Sequence, residues 1–297
     1  MGTLRELSHE LAEAAATGGR SVVRVEGRRR VAASGVVLSD DGLVVTAHHV
    51  LERDEEIHVG LAGGEREDAK VLGRDPSTDL ALLRLEGKKA TPAPWGEAAS
   101  ARVGELVLAL GRPGAEINAT LGVVSALEGG WRSPLGGAVD HYLQSDVVMY
   151  PGFSGGALIT AQGKVIGVNS SGLLRGVSVA LPTETVRRVA DALAKHGRIR
   201  RGYLGVGVQA VRIPEPQAGQ MGQVTGLMVL SVERDSPASR AGILIGDVLL
   251  GLDGDRLDDL DGLMTALQPE RVGQEVKTRL MRGGEATTLT VRIGERE

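Results

Sequence analysis

From residue 21 to about residue 180 the chain alternates short β-branched and aliphatic runs with turn residues. SVVRVE, RRRVAASGVVLS and GLVVTAH are separated by Glu26-Gly27 and by Asp40-Asp41-Gly42, which are hairpin signals. IHVGLA, AKVLGR, LALLRLE, ELVLALG, TLGVVSALE, HYLQSDV, GALITA, KVIGVNSS and VSVALP follow at even spacing with short connections. Such a pattern predicts antiparallel barrels or a sandwich. Helical periodicity appears at its two ends. In residues 1–20, Leu4, Leu7 and Leu11 share one face and Thr3 with Glu6 forms a capping-box pattern. Glu6, Glu10 and Glu13 on that helix point to packing against its own domain or a neighbouring subunit rather than a membrane. After Pro182, Thr183 is placed to cap a helix with Val186, Val189, Ala190 and Leu193 on one side, and Gly197 to end it.

HGRIRRG (196–202) is polar and reads as a linker. Beyond it the periods mix. YLGVGVQAV and GLMVLSVERD read as strands, Ser236-Pro237 starts a short helix that Gly242 stops, and GDVLLGLDGDRL is strand, turn and strand. Asp259 caps a helix carrying Leu260, Leu263, Met264 and Leu267, and EVKTRLMRGGEATTLTVRI is a hairpin across Gly283-Gly284. The pattern divides the chain into an N-terminal helix (1–20), a β domain (21–195), a linker (196–202) and a small α+β domain (203–297).

Composition narrows the chemistry. With 42% hydrophobic and 24% charged residues the 297-residue chain is ordinary globular material. Two Trp, three Tyr and one Phe are its only aromatics, so the core is aliphatic. Four of them, Trp131, Tyr142, Tyr150 and Phe153, cluster in one stretch. The absence of cysteine excludes a disulfide framework, a thiol nucleophile and thiolate metal sites. A net charge of −4 without a basic stripe argues against nucleic acid as a partner. No stretch reaches the roughly 20 apolar residues of a membrane span, and the N-terminus lacks a signal-peptide pattern. If Met1 is the native start, a cytoplasmic protein is expected. The six histidines have no ligand-spaced partners, Asp253-Gly254-Asp255 fails as a calcium loop, and Gly205-Val206-Gly207 lacks the rest of a dinucleotide fingerprint. Neither a metal nor a cofactor is expected.

The remaining chemistry is His, Asp and Ser, in that order. His48 and His49 follow a strand, Asp75 and Asp79 precede one, and Ser154 sits in the glycine-rich turn Gly152-Phe153-Ser154-Gly155-Gly156. A serine hydroxyl is a weak nucleophile that needs a base in reach, and the base needs a carboxylate to hold its tautomer. The order is that of chymotrypsin-like enzymes, whereas α/β-hydrolases run Ser, Asp, His.

On these motifs the first 180 or so residues resemble a trypsin-like serine protease domain, and the whole chain after residue 20 resembles the HtrA/Deg family, in which such a domain precedes PDZ domains. Thr46 to Val50 is similar to that family's T-x-x-H-V and selects His49. Thr78-Asp79-Leu80-Ala81 is similar to T-D-[LIV]-A and selects Asp79, and Gly152 to Gly156 is similar to G-x-S-G-G and selects Ser154. The resemblance implies a mainly β chain, a chymotrypsin-like double β-barrel followed by a small α+β PDZ domain. Backbone N–H groups of Gly152, Phe153 and Ser154, chiefly the first and last, would form the oxyanion hole, since glycine permits so tight a turn. Val148 and Met149 would line the S1 pocket; neither is acidic, which implies small or medium aliphatic P1 residues. Phe153 stands where the family usually has Asn, and Ala157 where it has Pro. The first change bears on how the oxyanion loop forms and collapses.

Tyr203-Leu204-Gly205-Val206 is similar to the carboxylate-binding loop of PDZ domains, and Ser236-Pro237-Ala238 through Gly246-Asp247 to their S-P-A-x-x-A-G-x-x-x-G-D signature. A peptide would add a strand beside residues 204–208, walled by Leu263, Met264 and Leu267 unless that face packs into the core. The function implied is an ATP-independent serine endopeptidase for unfolded or misfolded proteins, with peptide C-termini as PDZ ligands. The alternative is an inactive chaperone or PDZ scaffold on the same fold. Relatives are usually exported and often homotrimers held by aromatic residues near the N-terminus, but residues 1–30 here contain no aromatic.

Overall fold

In the computed structural model of the chain, which describes residues 2–87, 90–200 and 202–295, the alternating stretch closes into two six-stranded antiparallel barrels. After helix α1 (Gly2–Gly19), the first barrel comprises β1 (Val22–Glu26), β2 (Ala33–Val37), β3 (Leu43–Ala47), β4 (Ile57–Gly60), β5 (Arg66–Asp75) and β6 (Leu80–Leu85), in the order β1-β2-β3-β6-β5-β4. The second comprises β7 (Leu106–Gly111), β8 (Asn118–Glu128), β11 (Tyr142–Ser145), β12 (Ala157–Thr160), β13 (Val165–Ser170) and β14 (Ser178–Pro182), in the order β11-β14-β13-β12-β7-β8; between β8 and β11 lies the small hairpin β9 (Trp131–Arg132) and β10 (Ala138–Val139).

Why the strands read as continuous apolar runs rather than strict alternations is visible in where successive residues point. Val23, Val37, Val44, Ala81 and Leu83 fill the first barrel. Their neighbours Val22, Val36, Val45, Leu80 and Leu82 face outward into a second cluster. That cluster also takes Leu108, Leu110, Ile159 and Val168 from the second barrel, so it is the seam between the two barrels. Leu158 and Ile166 turn instead into the second barrel's interior with Phe153. Strands β2, β3, β6, β7, β12 and β13 are thus buried on both faces, whereas β5 and β8 keep exposed positions. Each buried Val or Leu contributes roughly 1.5–3 kcal/mol.

Helix α2 (Thr183–His196) closes the seam with Val186, Val189, Ala190 and Leu193, and ends at Gly197 in the left-handed region (φ 72°). Its N-cap is Pro182, not Thr183, whose hydroxyl donates instead to the Val165 carbonyl at 3.3 Å. The capping box predicted at Thr3 does not form either, because α1 starts at Gly2 and takes Thr3 inside the helix. Of α1, Leu11, Ala14 and Ala15 pack on the seam, whereas Leu4 is exposed.

The chain divides into two compact units after Ile199. Of the stretch 196–202, His196 ends α2, Arg198 bridges to Arg74, and Ile199 packs on the first unit; Gly202 pairs with Glu295 in the second. Arg201 lies outside the described residues. The second unit runs β15 (Gly202–Tyr203), β16 (Val206–Arg212), α3 (Glu215–Met221), β17 (Thr225–Val232), α4 (Pro237–Ala241), β18 (Val248–Leu252), β19 (Asp255–Arg256), α5 (Leu260–Ala266), β20 (Glu275–Arg282), β21 (Glu285–Arg292) and β22 (Gly294–Glu295). Its main sheet has the order β16-β17-β18-β20-β21, with β19 beside β18. Helix α3 carried no sequence signal of comparable strength to α4 and α5. Those two begin at the expected caps, Ser236 and Asp259, whose side chains accept the Ser239 and Gly262 N–H groups at 3.0 and 2.8 Å. Among the described residues no helix is long and apolar enough to cross a membrane.

Candidate active site

Strand β3 runs into a single 3₁₀ turn, His48–Val50, while its partner β6 begins directly after Asp79. The pairing of Ala47 with Leu80 therefore sets the two segments side by side, and the His48 N–H donates to the Asp79 carbonyl at 2.9 Å. Asp79 lies in the left-handed region (φ 57°), a conformation Asp tolerates better than most residues. That turn aims its carboxylate back at His49. One oxygen accepts the His49 N–H at 2.9 Å and the other meets Nδ1 at 2.7 Å. Asp75 builds the turn itself: it accepts the Ser77 N–H (3.1 Å) and the Ser77 and Thr78 hydroxyls (2.6 Å each). Burial, reinforced by the Arg74 charge, holds the His48 imidazole below the usual histidine range.

Ser154 sits in the turn between β11 and β12, where Gly152 (φ 96°) and Gly155 (φ 83°) both have positive φ. A Cβ on Gly155 would stand 2.1 Å from the Ser34 carbonyl oxygen, so only glycine lets this turn press onto β2. The Phe153 N–H donates to the Tyr150 carbonyl at 3.0 Å, and the Phe153 carbonyl accepts the Gly156 N–H at 2.9 Å. The Gly152 and Ser154 N–H groups are left with no acceptor among the described residues. Phe153 thus departs from its expected part in the oxyanion hole: its amide is committed to Tyr150. Its ring is fully buried in the second barrel, edge-on to Tyr150 with centroids 6.0 Å apart. Trp131 and Tyr142 form a second edge-to-face pair at 5.4 Å.

Three residues that sequence reasoning did not single out complete the site. Ser170 ends β13, Ser171 and Gly172 follow it, and each touches one of the residues above. The Ser170 hydroxyl donates to the Asp79 carboxylate. Ser171 meets the Ser154 hydroxyl through its own hydroxyl (2.8 Å) and its N–H (3.3 Å). Gly172 lies flat against His49, where a Cβ would come within 2.6 Å of Nδ1. The Ser154 hydroxyl is therefore turned to Ser171, and no hydrogen bond joins it to His49. Met149 is half-buried against the cluster that holds Phe153, and Val148 is mostly exposed. Among the described residues no cluster of His, Asp and Glu is arranged to hold a metal ion.

In the second unit Tyr203, Leu204 and Gly205 lead into β16 at Val206, and among the described residues β16 pairs with β17 alone, which leaves its other edge unpaired. The Tyr203 hydroxyl donates to Glu233. The Leu204 and Gly205 carbonyls accept the Ala238 and Glu233 N–H groups, both at 2.9 Å. Gly205 (φ 79°) has no room for a side chain, since a Cβ would stand 2.2 Å from that of Ser236. Leu263 and Leu267 are buried in the unit's core with Leu204, while Met264 is half-buried.

Residues 33–168 match the family model of the trypsin-like peptidase domain, and residues 202–293 that of the PDZ domain. Over 280 residues the chain is 37% identical to a probable periplasmic serine endoprotease, DegP-like, of Pseudomonas fulva (strain 12-X), covering 90% of the chain and 57% of that relative. A protein of the same description from Chlamydia trachomatis serovar D is 34% identical over 282 residues, covering 92% and 56%. The chain thus spans little more than half the length of these curated relatives. Among solved structures, the HtrA-type protease AlgW with a tripeptide superposes with a TM-score of 0.79 at 32% identity, covering 97% of each chain. The serine endoprotease from Yersinia pestis does so at 0.80 and 28%, covering 97% and 98%.

Proposed function

The chain belongs to the HtrA/Deg family of serine proteases, and from that premise we propose that it is an ATP-independent serine endopeptidase acting on unfolded or misfolded polypeptides, with a PDZ domain that binds peptide C-termini. The observation that carries this reading is the Asp79 carboxylate engaging both the N–H and Nδ1 of His49. An acceptor at Nδ1 places the proton there and leaves Nε2 free as the base. In the reaction Ser154 rotates from Ser171 toward His49, gives up its proton to Nε2 and attacks the scissile carbonyl. The Gly152 and Ser154 N–H groups, unengaged in the resting chain, hold the oxyanion. His49 then passes the proton to the departing amine, leaving an acyl group on Ser154 that water removes by the same route.

Val148 and Met149 near this turn carry no acid, which favours aliphatic over basic P1 residues. In the PDZ domain the open edge of β16 is the place for an added strand, with the peptide carboxylate at the N–H groups of Leu204, Gly205 and Val206.

The test is incubation of the wild type and Ser154→Ala with casein, together with a fluorophosphonate probe. The wild type is expected to degrade casein and to be labelled, and the variant to do neither. A wild type that leaves casein intact and takes no label sinks the protease reading and leaves the inactive chaperone or scaffold in its place.

A further inference from the structure

We propose that Ser34, on the first barrel, is the positioning residue for the oxyanion site on the second; the inference rests on the reading of Ser154 as nucleophile. Ser34 is fully buried on β2, and every polar atom it has is used across the barrel seam or beside it. Its N–H donates to the Ser154 carbonyl at 3.1 Å, and its carbonyl accepts the Thr46 hydroxyl at 2.7 Å. Its hydroxyl donates to the Gly152 carbonyl and accepts the Arg112 N–H, each at 2.7 Å. A serine hydroxyl has one proton to give, and here it is given to the carbonyl of Gly152, whose own N–H is one of the two proposed oxyanion donors.

Glycine at 152 supplies the positive φ the turn needs, but glycine alone does not choose among its many conformations. The choice is made by what holds its peptide. The Gly152–Phe153 plane is fixed at its carbonyl by Ser34 and at its N–H by the Tyr150 carbonyl. The next plane, which carries the Ser154 N–H, is fixed at the Phe153 carbonyl by Gly156. Of these three anchors only Ser34 comes from the first barrel, which also carries His49 and Asp79. The hydroxyl therefore registers the oxyanion donors against the base and its carboxylate.

Arg112 keeps the other end of the clamp in place. Its buried guanidinium donates to the carbonyls of Gly19 (2.9 Å), Val22 (2.7 Å) and Ala115 (2.6 Å), which pins the backbone whose N–H meets Ser34. Losing an oxyanion donor costs on the order of 10²–10³ in rate, and a misplacement of about 1 Å about 10². Ser34→Ala keeps both donors and only loosens their aim, so the loss falls at or below the bottom of that range, about 10- to 100-fold.

The experiment measures a peptide amide with an aliphatic P1 residue and the matching peptide aldehyde, whose hemiacetal oxygen occupies the hole. Ser34→Ala is expected to lower kcat roughly 10- to 100-fold with KM within about twofold, to weaken the aldehyde by a similar factor, and to be restored by Ser34→Thr. A purely structural role would lower the melting temperature while leaving kcat and aldehyde affinity unchanged below the melt. That result, kcat within twofold and an unweakened aldehyde, overturns the proposal. If Ser34→Ala does not fold, Ser34→Cys, a weaker donor of similar volume, carries the same comparison. A wild type that neither turns over substrate nor takes the probe refutes the protease reading itself, whereas an active wild type with an indifferent Ser34→Ala refutes only the clamp.

Discussion

Phe153 directly precedes Ser154, yet its ring is fully buried among Val107, Ala109, Val124, Leu143, Val147, Leu158 and Ile166. Phe153→Ala removes that ring from a site bounded by strands on several sides, which leaves little scope for collapse. Buried Phe→Ala changes cost about 3–5 kcal/mol, and a unit of this size loses about 2–4 °C per kcal/mol, so a fall of roughly 10 °C is expected. Intrinsic tryptophan fluorescence is a suitable probe, because Trp95 and Trp131 both lie in the first unit and report its melting alone. The same geometry supplies an internal control. A Cβ on Gly111 would stand 2.8 Å from Phe153 Cδ1 and 3.1 Å from its Cα. Gly111→Ala should therefore destabilise the wild type, and removing the ring should relieve the first contact but not the second. The double variant is expected to be more stable than the sum of the singles by about 1 kcal/mol or more. A fall of less than about 3 °C for Phe153→Ala, or strict additivity with Gly111→Ala, would refute the claim that the ring is a packed support of the loop.

Two further expectations concern single hydrogen bonds. Ser171→Ala removes the hydroxyl that holds Ser154 away from His49 while keeping the Ser171 N–H; at about 1 kcal/mol for such a bond, fluorophosphonate labelling should quicken by about fivefold, and slower labelling contradicts the resting role. Asp247 is buried, which pushes its carboxyl up, but paired bonds to Arg282 (2.8 and 2.7 Å), the Leu244 N–H and the Arg282 charge together hold it below its ordinary value. A depressed carboxyl stabilises the fold fully above its unfolded value of about 3.9 and loses that contribution as pH falls through the folded value. Asp247→Asn should cost the PDZ unit about 2 kcal/mol at neutral pH and flatten its acid unfolding, followed by hydrogen exchange; an unchanged acid limb would count against the pairing.

What sequence reasoning reached and what it missed separate by the range of the interaction. Ser236 and Asp259 cap their helices through partners three residues away, and Gly283-Gly284 turns a hairpin with both φ angles positive. These signals are local, so a string of residues carries them. The same local logic failed at Thr3 and Thr183. At Thr3 the helix begins one residue earlier, and at Thr183 a carbonyl on β13 claims the hydroxyl. Helix propensities and caps are weak preferences that one tertiary contact overrides.

Residue types also delimited the chemistry. The order of His, Asp and Ser, the glycines around Ser154 and the lack of cysteine narrowed the possible reactions before any fold was known. The tertiary structure alone decided which atoms meet. The Ser34 hydroxyl reaches Gly152 across 118 positions, the Ser170 hydroxyl reaches Asp79 across 91, and the Arg112 guanidinium reaches Gly19 across 93. Serines and arginines of this kind are common on surfaces, and nothing in their immediate neighbours marks these as buried. Closing two barrels against one seam makes them so, because burial there leaves each polar atom the choice of a distant partner or an unpaired state costing about 1–3 kcal/mol. Phe153 shows both levels at once. Its type could be read as a departure from the family's usual residue, but its inward direction was set only by the space between strands that the ring fills.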